Sequence, residues 1–226
     1  FLYIKFTLTD SFIQIFILYF YIYITKDKML TCIVGVLTLL AFVAFVGKFV
    51  YQHFVLDTDL KKYGAKSGAW AVITGASDGI GRGFAIALAK KGFNIAIVAR
   101  RESVLKEVVA DVASFNVETK IVPLDCGKDG AVDELLSAVS GLKVTVLVNN
   151  VGVNTRYPEK LVDTTDEDIE KMIKINVTFT TKITKAFVPI LTKEPKSIIF
   201  NLSSYTGRVP ISMMSVYSAS KSYVDV

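Results

Sequence analysis

Three residues near the carboxyl end of the chain are suited to proton transfer. Tyr217 and Lys221 stand four positions apart in the run Y-S-A-S-K. At i and i+4 they share one face of a helix. An ammonium beside a phenol favours the phenolate, drawing the phenol pKa down from about 10 towards neutrality. A tyrosine tuned in this way can give a proton to a carbonyl oxygen as hydride arrives at carbon, and take it back in reverse. Ser204, thirteen residues before Tyr217, is placed to hydrogen-bond the same oxygen and orient a substrate. Y-x-x-x-K alone is a common accident on surface helices, so these residues need a hydride source in the same chain.

The stretch from Ala71 to Arg101 supplies one in outline. An apolar run meets Gly75, Gly79 and Gly81, a helical pattern follows, Gly92 ends it, and a second apolar run closes on two arginines. Strand, glycine turn, helix and strand within about 30 residues is a βαβ unit. Glycines at that junction let the backbone approach a phosphate, and the helix N-terminus offers free N–H groups and partial positive charge. The spacing is G-x-x-x-G-x-G rather than the usual G-x-G-x-x-G, so an ordinary tight β–α turn is the alternative. Arg100 follows Gly79 by 21 residues, where the residue meeting the adenine ribose belongs. An acidic residue there selects NAD; arginine pairs with the 2′-phosphate of NADP(H). Glu102 comes one residue late, and a solvated charge pair is the plainer reading. Asp125, after the third strand, is placed to meet the adenine edge. Asn149, Asn150 and Gly152 form N-N-x-G after the fourth, where they can line a cofactor and steady the central strand; as turn chemistry the same run is unremarkable.

These residues require a particular scaffold. Apolar strands at Trp70–Thr74, Phe93–Ala99, Lys120–Leu124, Val144–Asn149 and Ser197–Leu202 alternate with helices at Ile80–Lys91, Ser103–Ser114 and Ala131–Val139. A long helix opens at Thr165, with Asp166, Glu167 and Asp168 in the first turn where the dipole favours anions. Another starts at Val216. The alternation predicts an α/β fold, a Rossmann-type doubly wound parallel sheet covered on both faces, with ligands at the carboxyl ends of its strands.

Composition adds a membrane. Of 226 residues 52% are hydrophobic, and the mean hydropathy is +0.46. Met29 to Gly47 carries no charge over 19 residues; at 1.5 Å each this is about 28 Å, close to a hydrocarbon core of ~30 Å. A transmembrane anchor over 29–50 is the reading, with a cleaved signal peptide or a buried soluble helix as alternatives. Phe12 to Ile24 is a second, borderline apolar run. The basic residues after the segment, Lys48, Lys61, Lys62 and Lys66, outnumber Lys26 and Lys28 before it, which favours a cytosolic domain. The sequons at Asn176 and Asn201 lie inside motifs that must pack or react, which agrees. The charge is +5, but no basic cluster interleaved with aromatics is present, so nucleic acid is not a partner. Cys32 and Cys126 form neither a zinc spacing nor a disulfide framework, and Cys126 reads as an inert small residue. A histidine triad or metal site is excluded unless His53, the single histidine, serves. The chain begins with Phe and its first methionine is Met29, so residues 1–28 are an uncertain apolar leader and Met29 a candidate start. Residues 51–68 read as a linker and 69–226 as the NADP-binding domain.

T-G-x-x-x-G-I-G, N-N-x-G, the helix Asn176, S-S and Y-x-x-x-K occur in an order and spacing that resemble the short-chain dehydrogenase/reductase family from about Gly68 onward. That resemblance implies catalytic roles for Asn176, Ser204, Tyr217 and Lys221, with Asn176 holding a water in a proton relay with Lys221. It implies NADPH contacts from Gly75, Ser77, Asp78, Gly79, Ile80, Gly81, Arg100, Asp125, Asn149, Asn150, Gly152, Tyr217 and Lys221, and no metal. K-Y-G-A-K-S-G before the first strand, V-L-V-N-N-V-G, Tyr157-Pro158-Glu159 and Y-S-A-S-K-S-Y-V-D are similar to one branch, the microsomal 3-oxoacyl-CoA reductases and their 17β-hydroxysteroid dehydrogenase relatives. The branch implies an endoplasmic reticulum membrane, a 3-oxoacyl-CoA substrate in very-long-chain fatty-acid elongation, and condensing enzyme, dehydratase and enoyl reductase as partners. A reductase of steroids or 3-ketosphinganine, or an inactive NADP-binding scaffold, are the alternatives. The family pattern continues past Val226 with two strands and a substrate-covering segment, so the sequence reads as C-terminally truncated, and the 226 residues alone are expected to fold poorly and to reduce nothing.

Overall fold

The computed structural model describes residues 28–51, 59–209 and 211–225. They belong to two units, divided between Thr58 and Asp59. In the first, α1 (Lys28–Val50) is a helix of 23 residues, about 35 Å long at 1.5 Å per residue. Within it Cys32–Val50 is long and apolar enough to cross a membrane, and none of it is buried. The expectations placed on residues 1–27, the run Phe12–Ile24 among them, and on His53 lie outside the described residues.

The second unit is built on five parallel strands: β1 (Trp70–Thr74), β2 (Asn94–Ala99), β3 (Thr119–Pro123), β4 (Val144–Asn149) and β5 (Ile198–Asn201). Their order is β3-β2-β1-β4-β5, with Trp70 opposite Asn94 on one side and Val144 on the other. The chain winds outward in both directions from β1, so the carboxyl ends of β1 and β4 form the switch point at which such sheets bind ligands.

Every residue of β1, β2 and β4 is buried, because helices cover both faces and leave no solvated side to the sheet. Ala71, Ile73, Ile95, Ile97, Val146 and Val148 pack on Ala85, Leu88, Leu105 and Val108, which belong to α2 (Gly79–Lys90) and α3 (Glu102–Val112). Trp70, Val72, Ala96, Val98 and Leu147 turn the other way, towards Leu135, Ile183 and Phe187. These belong to α4 (Ala131–Ala138) and α6 (Thr180–Leu191). Arg82 crosses from α2 to Asp111 of α3, Nε to carboxylate 2.7 Å.

The long helix expected from Thr165 has an interruption that periodicity does not reveal. Thr165 caps α5 (Asp166–Met172), its hydroxyl accepting from Asp168 N. A π-helical segment, Ile173–Phe179, then leads into α6. The last helix, α7 (Ser215–Asp225), starts one residue before the expected Val216. The stretch 51–68, read as a linker, is folded onto the domain from Leu60 onward. Leu60–Tyr63 forms a 3-10 turn, Ala65 is buried, and Leu60 and Tyr63 pack on the core.

Candidate active site

A cleft of ≈ 340 Å³ opens at the carboxyl ends of β1, β2, β3 and β4. Its walls hold Gly75, Ser77, Asp78 and Ile80 from the glycine turn, Arg100 and Arg101 after β2, Asp125 and Cys126 after β3, and Asn150 and Gly152 after β4. Gly75 has φ +66°, and a Cβ there would lie 2.9 Å from both Asn150 Nδ2 and Val151 Cα. Gly81 works from behind: a Cβ on it would meet the carbonyl oxygen of Gly75 at 2.2 Å. Bare backbone at these two positions lets the N-terminus of α2 close onto the end of β1. Asp78 caps that helix, its Oδ1 accepting from Gly79 N at 2.7 Å.

The two adjacent asparagines part company. Asn150 Nδ2 donates to the carbonyls of Thr74 (2.9 Å) and Gly75 (3.0 Å), fixing the glycine turn from the cleft side. Asn149 is buried away from the cleft, its Nδ2 donating to Thr184 Oγ1 and Asn201 Oδ1, both at 2.8 Å. The expectation that it lines a cofactor is thus not met by its side chain, which ties β4 to α6 and β5. Successive strand residues face opposite sides of a sheet, so only one of the pair can reach the cleft.

Lys221 is buried with Nζ donating to Leu202 O at 2.8 Å and lying 5.9 Å from the centroid of the Tyr217 ring. Burial pushes its ammonium below the usual lysine range. Ser203 Oγ donates to the Lys221 carbonyl at 2.7 Å, so the two residues before Ser204 both fasten α7. Ser204 Oγ accepts from Thr206 N (3.3 Å) and Thr206 Oγ1 (3.0 Å). A hydroxyl carries one hydrogen besides its two acceptor sites, so Ser204 keeps a donor. Gly152 is where the sets meet: a Cβ there would lie 3.1 Å from Lys221 Nζ and 3.5 Å from Asn176 Oδ1. Asn176 sits in the π-helical segment, at the kind of helix irregularity that often marks functional sites. A small cavity beside Tyr217 is lined by Asn154, Leu161, Met172, Met213 and Met214. Val151 to Val153 border the cleft and Asn154 and Thr155 border this cavity, so one loop separates the two spaces.

A family model described as short chain dehydrogenase matches residues 69–225. The chain belongs to that family. Among its relatives a Scheffersomyces stipitis protein named very-long-chain 3-oxoacyl-CoA reductase is 40% identical over 204 residues, covering 85% of this chain and 59% of the relative. A Rattus norvegicus protein of the same name is 41% identical over 165 residues, covering 72% and 53%. The chain thus spans between half and three fifths of the length of these relatives. A metagenomic short-chain oxidoreductase solved in complex with NADP superimposes with a TM-score of 0.66 at 28% identity, over 71% of this chain and 73% of that one. A 7β-hydroxysteroid dehydrogenase structure gives 0.67 at 29%, over 73% and 62%.

Within this short-chain dehydrogenase fold the cleft fits a dinucleotide. Its glycine cradle is bare at one end, two guanidinium groups stand at the other, and Asp125 closes the third side with Oδ1 accepting from Gly127 N at 2.9 Å. Several site residues were not legible from motif spacing. Thr74 Oγ1 donates to Val148 O and accepts from Asn150 N and Val151 N at 3.1–3.2 Å, joining β1 to β4 beneath the cleft. Its signal is a hydroxyl ending an otherwise apolar strand. Ser220, inside Y-S-A-S-K, donates to Tyr217 O at 2.7 Å and accepts from Asn176 Nδ2 at 3.0 Å. Cys126 borders the cleft with its thiol pushed up to about 12 by burial and by Asp125, which leaves it protonated and unreactive at neutral pH.

Proposed function

We propose that this chain is the cofactor-binding and proton-transfer part of a membrane-bound, NADPH-dependent 3-oxoacyl-CoA reductase, anchored by 29–50 and folded as an NADP-binding domain over 69–226. The observation that carries the reading is the pair on α7, a buried Lys221 held by Leu202 O with its ammonium over the Tyr217 ring, beside a cleft that ends in two arginines. The relatives' names supply the substrate class. Bare backbone at Gly75, with Ser77, Asp78 and Ile80, would receive the pyrophosphate; Arg100 and Arg101 would pair with a 2′-phosphate; Asp125 would meet the adenine. Bound there, the nicotinamide supplies hydride. Tyr217 gives its phenolic proton to the substrate carbonyl oxygen, the hydrogen that Ser204 retains orients the same oxygen, and Lys221 steadies the phenolate left behind. Asn176 holds the loop at Val153 and a water in relay with Lys221. The product is a 3-hydroxyacyl-CoA, made at the endoplasmic reticulum for very-long-chain elongation beside condensing enzyme, dehydratase and enoyl reductase, with the domain in the cytosol.

The test is oxidation of NADPH with 3-oxoacyl-CoA thioesters of graded length, using the complete reading frame in solubilised membranes and NADH as the comparison. Turnover that is lost in Tyr217→Phe supports the reading. Wild-type turnover with steroid ketones but not thioesters refutes the substrate, and cofactor binding without any turnover refutes the enzyme.

A further inference from the structure

The end of the sheet opposite the cleft carries an excess of positive charge. Lys61, Lys62 and Lys66 lie in the segment that enters β1, and all three are exposed. Lys66 N donates to Gly92 O at 2.8 Å, which brings that segment against the one entering β2, where Lys90 and Lys91 are exposed. Trp70 N donates to Lys143 O at 2.8 Å, so the exposed Lys143 before β4 joins the same end. Its ammonium stands 3.8 Å from Glu194, between the exposed Lys193 and Lys196 that precede β5. Among the described residues the connections entering the five strands, with the last residue of α2, therefore hold eight lysines against Asp59, Glu118 and Glu194, an excess of five positive charges at this one end.

From this we infer that the basal end of the domain docks on the anionic headgroups of a lipid bilayer. Charge complementarity favours it, since polybasic segments next to a membrane are drawn to acidic lipid within a Debye length of about 8 Å. A helix long and apolar enough to span a membrane, the anchor of the proposed function, ends at Val50, nine residues before Asp59. Nine residue steps reach at most about 30 Å, a tether that allows the lysines that follow to meet the headgroups of a membrane the helix has entered. The K-Y-G-A-K-S-G run is then the leading edge of a lipid contact. Gly64, Lys66 and Gly68 all have positive φ, at 91°, 63° and 75°, which folds the segment into a tight turn at the foot of β1. Docking this way turns the cleft, one strand length of about 17–20 Å away, towards water. The inference rests on charge and topology and not on the proposed reaction.

It is tested on the product of the complete reading frame in lipid nanodiscs, one set of phosphatidylcholine alone and one with about a third phosphatidylserine. Lysine accessibility is read by amine acetylation and mass spectrometry. In the anionic discs Lys62, Lys66, Lys90, Lys193 and Lys196 should lose reactivity severalfold, with recovery in high salt, while the exposed Lys106 and Lys171 react equally in both. Replacing Lys61, Lys62 and Lys66 with Glu should abolish the difference at Lys90 and Lys193. Equal reactivity of the basal lysines in the two sets overturns the inference, as it would if an acidic protein rather than lipid were the partner. Uniform protection of all lysines, controls included, overturns it too.

Discussion

Asn176 grips both backbone polar groups of Val153, its N–H and its C=O. Oδ1 accepts from Val153 N at 2.8 Å and Nδ2 donates to Val153 O at 2.9 Å. The same amide nitrogen reaches Ser220 Oγ at 3.0 Å. One buried side chain thus joins the π-helical segment, the loop between the two cavities and the helix that carries Tyr217 and Lys221. Asn176→Ala strands the Val153 amide and carbonyl and takes from the Ser220 hydroxyl the bond it accepts, leaving the one it donates to Tyr217 O. At 1–3 kcal/mol for each buried group left unpaired, partly relieved by water, the loss should be about 2–4 kcal/mol. Chemical denaturation measures it. Asn176→Asp keeps the acceptor for Val153 N but sets a carboxylate oxygen against Val153 O in a buried position, so it should not recover the stability of wild type.

In the proposed site Arg100 is the residue on which a preference for NADPH over NADH would turn. Hydrogen bonds to charged groups are worth about 1.5–3 kcal/mol, so Arg100→Ala should weaken NADPH binding roughly 10- to 100-fold and leave NADH nearly unchanged. Fluorescence titration with both nucleotides checks this. Equal weakening of the two would move the 2′-phosphate contact elsewhere, with Arg101 next in line on the same wall.

Much of this architecture was legible because the sheet is buried on both faces. Continuous apolar runs such as Trp70–Thr74 and Val144–Asn149 can only be central parallel strands in a chain that alternates with helices. The glycine turn and Y-S-A-S-K were legible because their chemistry needs fixed spacing. The reading faltered where one residue decides the geometry. A π-helical turn adds only one residue to a run that is helical on both sides, so Ile173–Phe179 reads as plain helix in the sequence. Asn149 and Asn150 are the same amide, and the strand pleat alone sends one to the cleft and the other to Thr184 and Asn201. Leu60 to Gly68 looked like linker because its charges are visible in sequence while the burial of Ala65 is not.

Lys221 should leave a mark on alkaline stability. Burial lowers its pKa in the folded state below the ordinary lysine value of 10.5. Between the folded and unfolded values the unfolded chain binds the extra proton, so unfolding free energy rises with pH in that window. Below it the buried ammonium costs stability, and the cost is relieved as pH climbs towards 10.5. Lys221→Met removes the titration. Its thermal midpoint should lose the upward contribution that wild type gains on the alkaline side. A variant with the wild-type pH slope would place the titrating group elsewhere.

Two glycines of α2 separate close packing from mere flexibility. Gly83 is exposed, and a Cβ on it would meet nothing within 4 Å. It sits inside a helix, where glycine costs about 0.5–1 kcal/mol relative to alanine. Gly83→Ala should therefore stabilise the domain by about that amount and leave nucleotide binding intact. Gly81 lies two residues earlier on the same helix, and its added Cβ would lie 2.2 Å from the Gly75 carbonyl oxygen and 2.5 Å from Asn150 Nδ2. Neither can yield without moving the turn that shapes the cleft. Gly81→Ala should cost about 1–3 kcal/mol, and because the strain falls on the Gly75 turn, nucleotide affinity should fall with it. Melting curves of both variants, with and without NADPH, test the contrast. Similar behaviour in the two would mean that helix propensity, and not the contact between α2 and the end of β1, governs this turn.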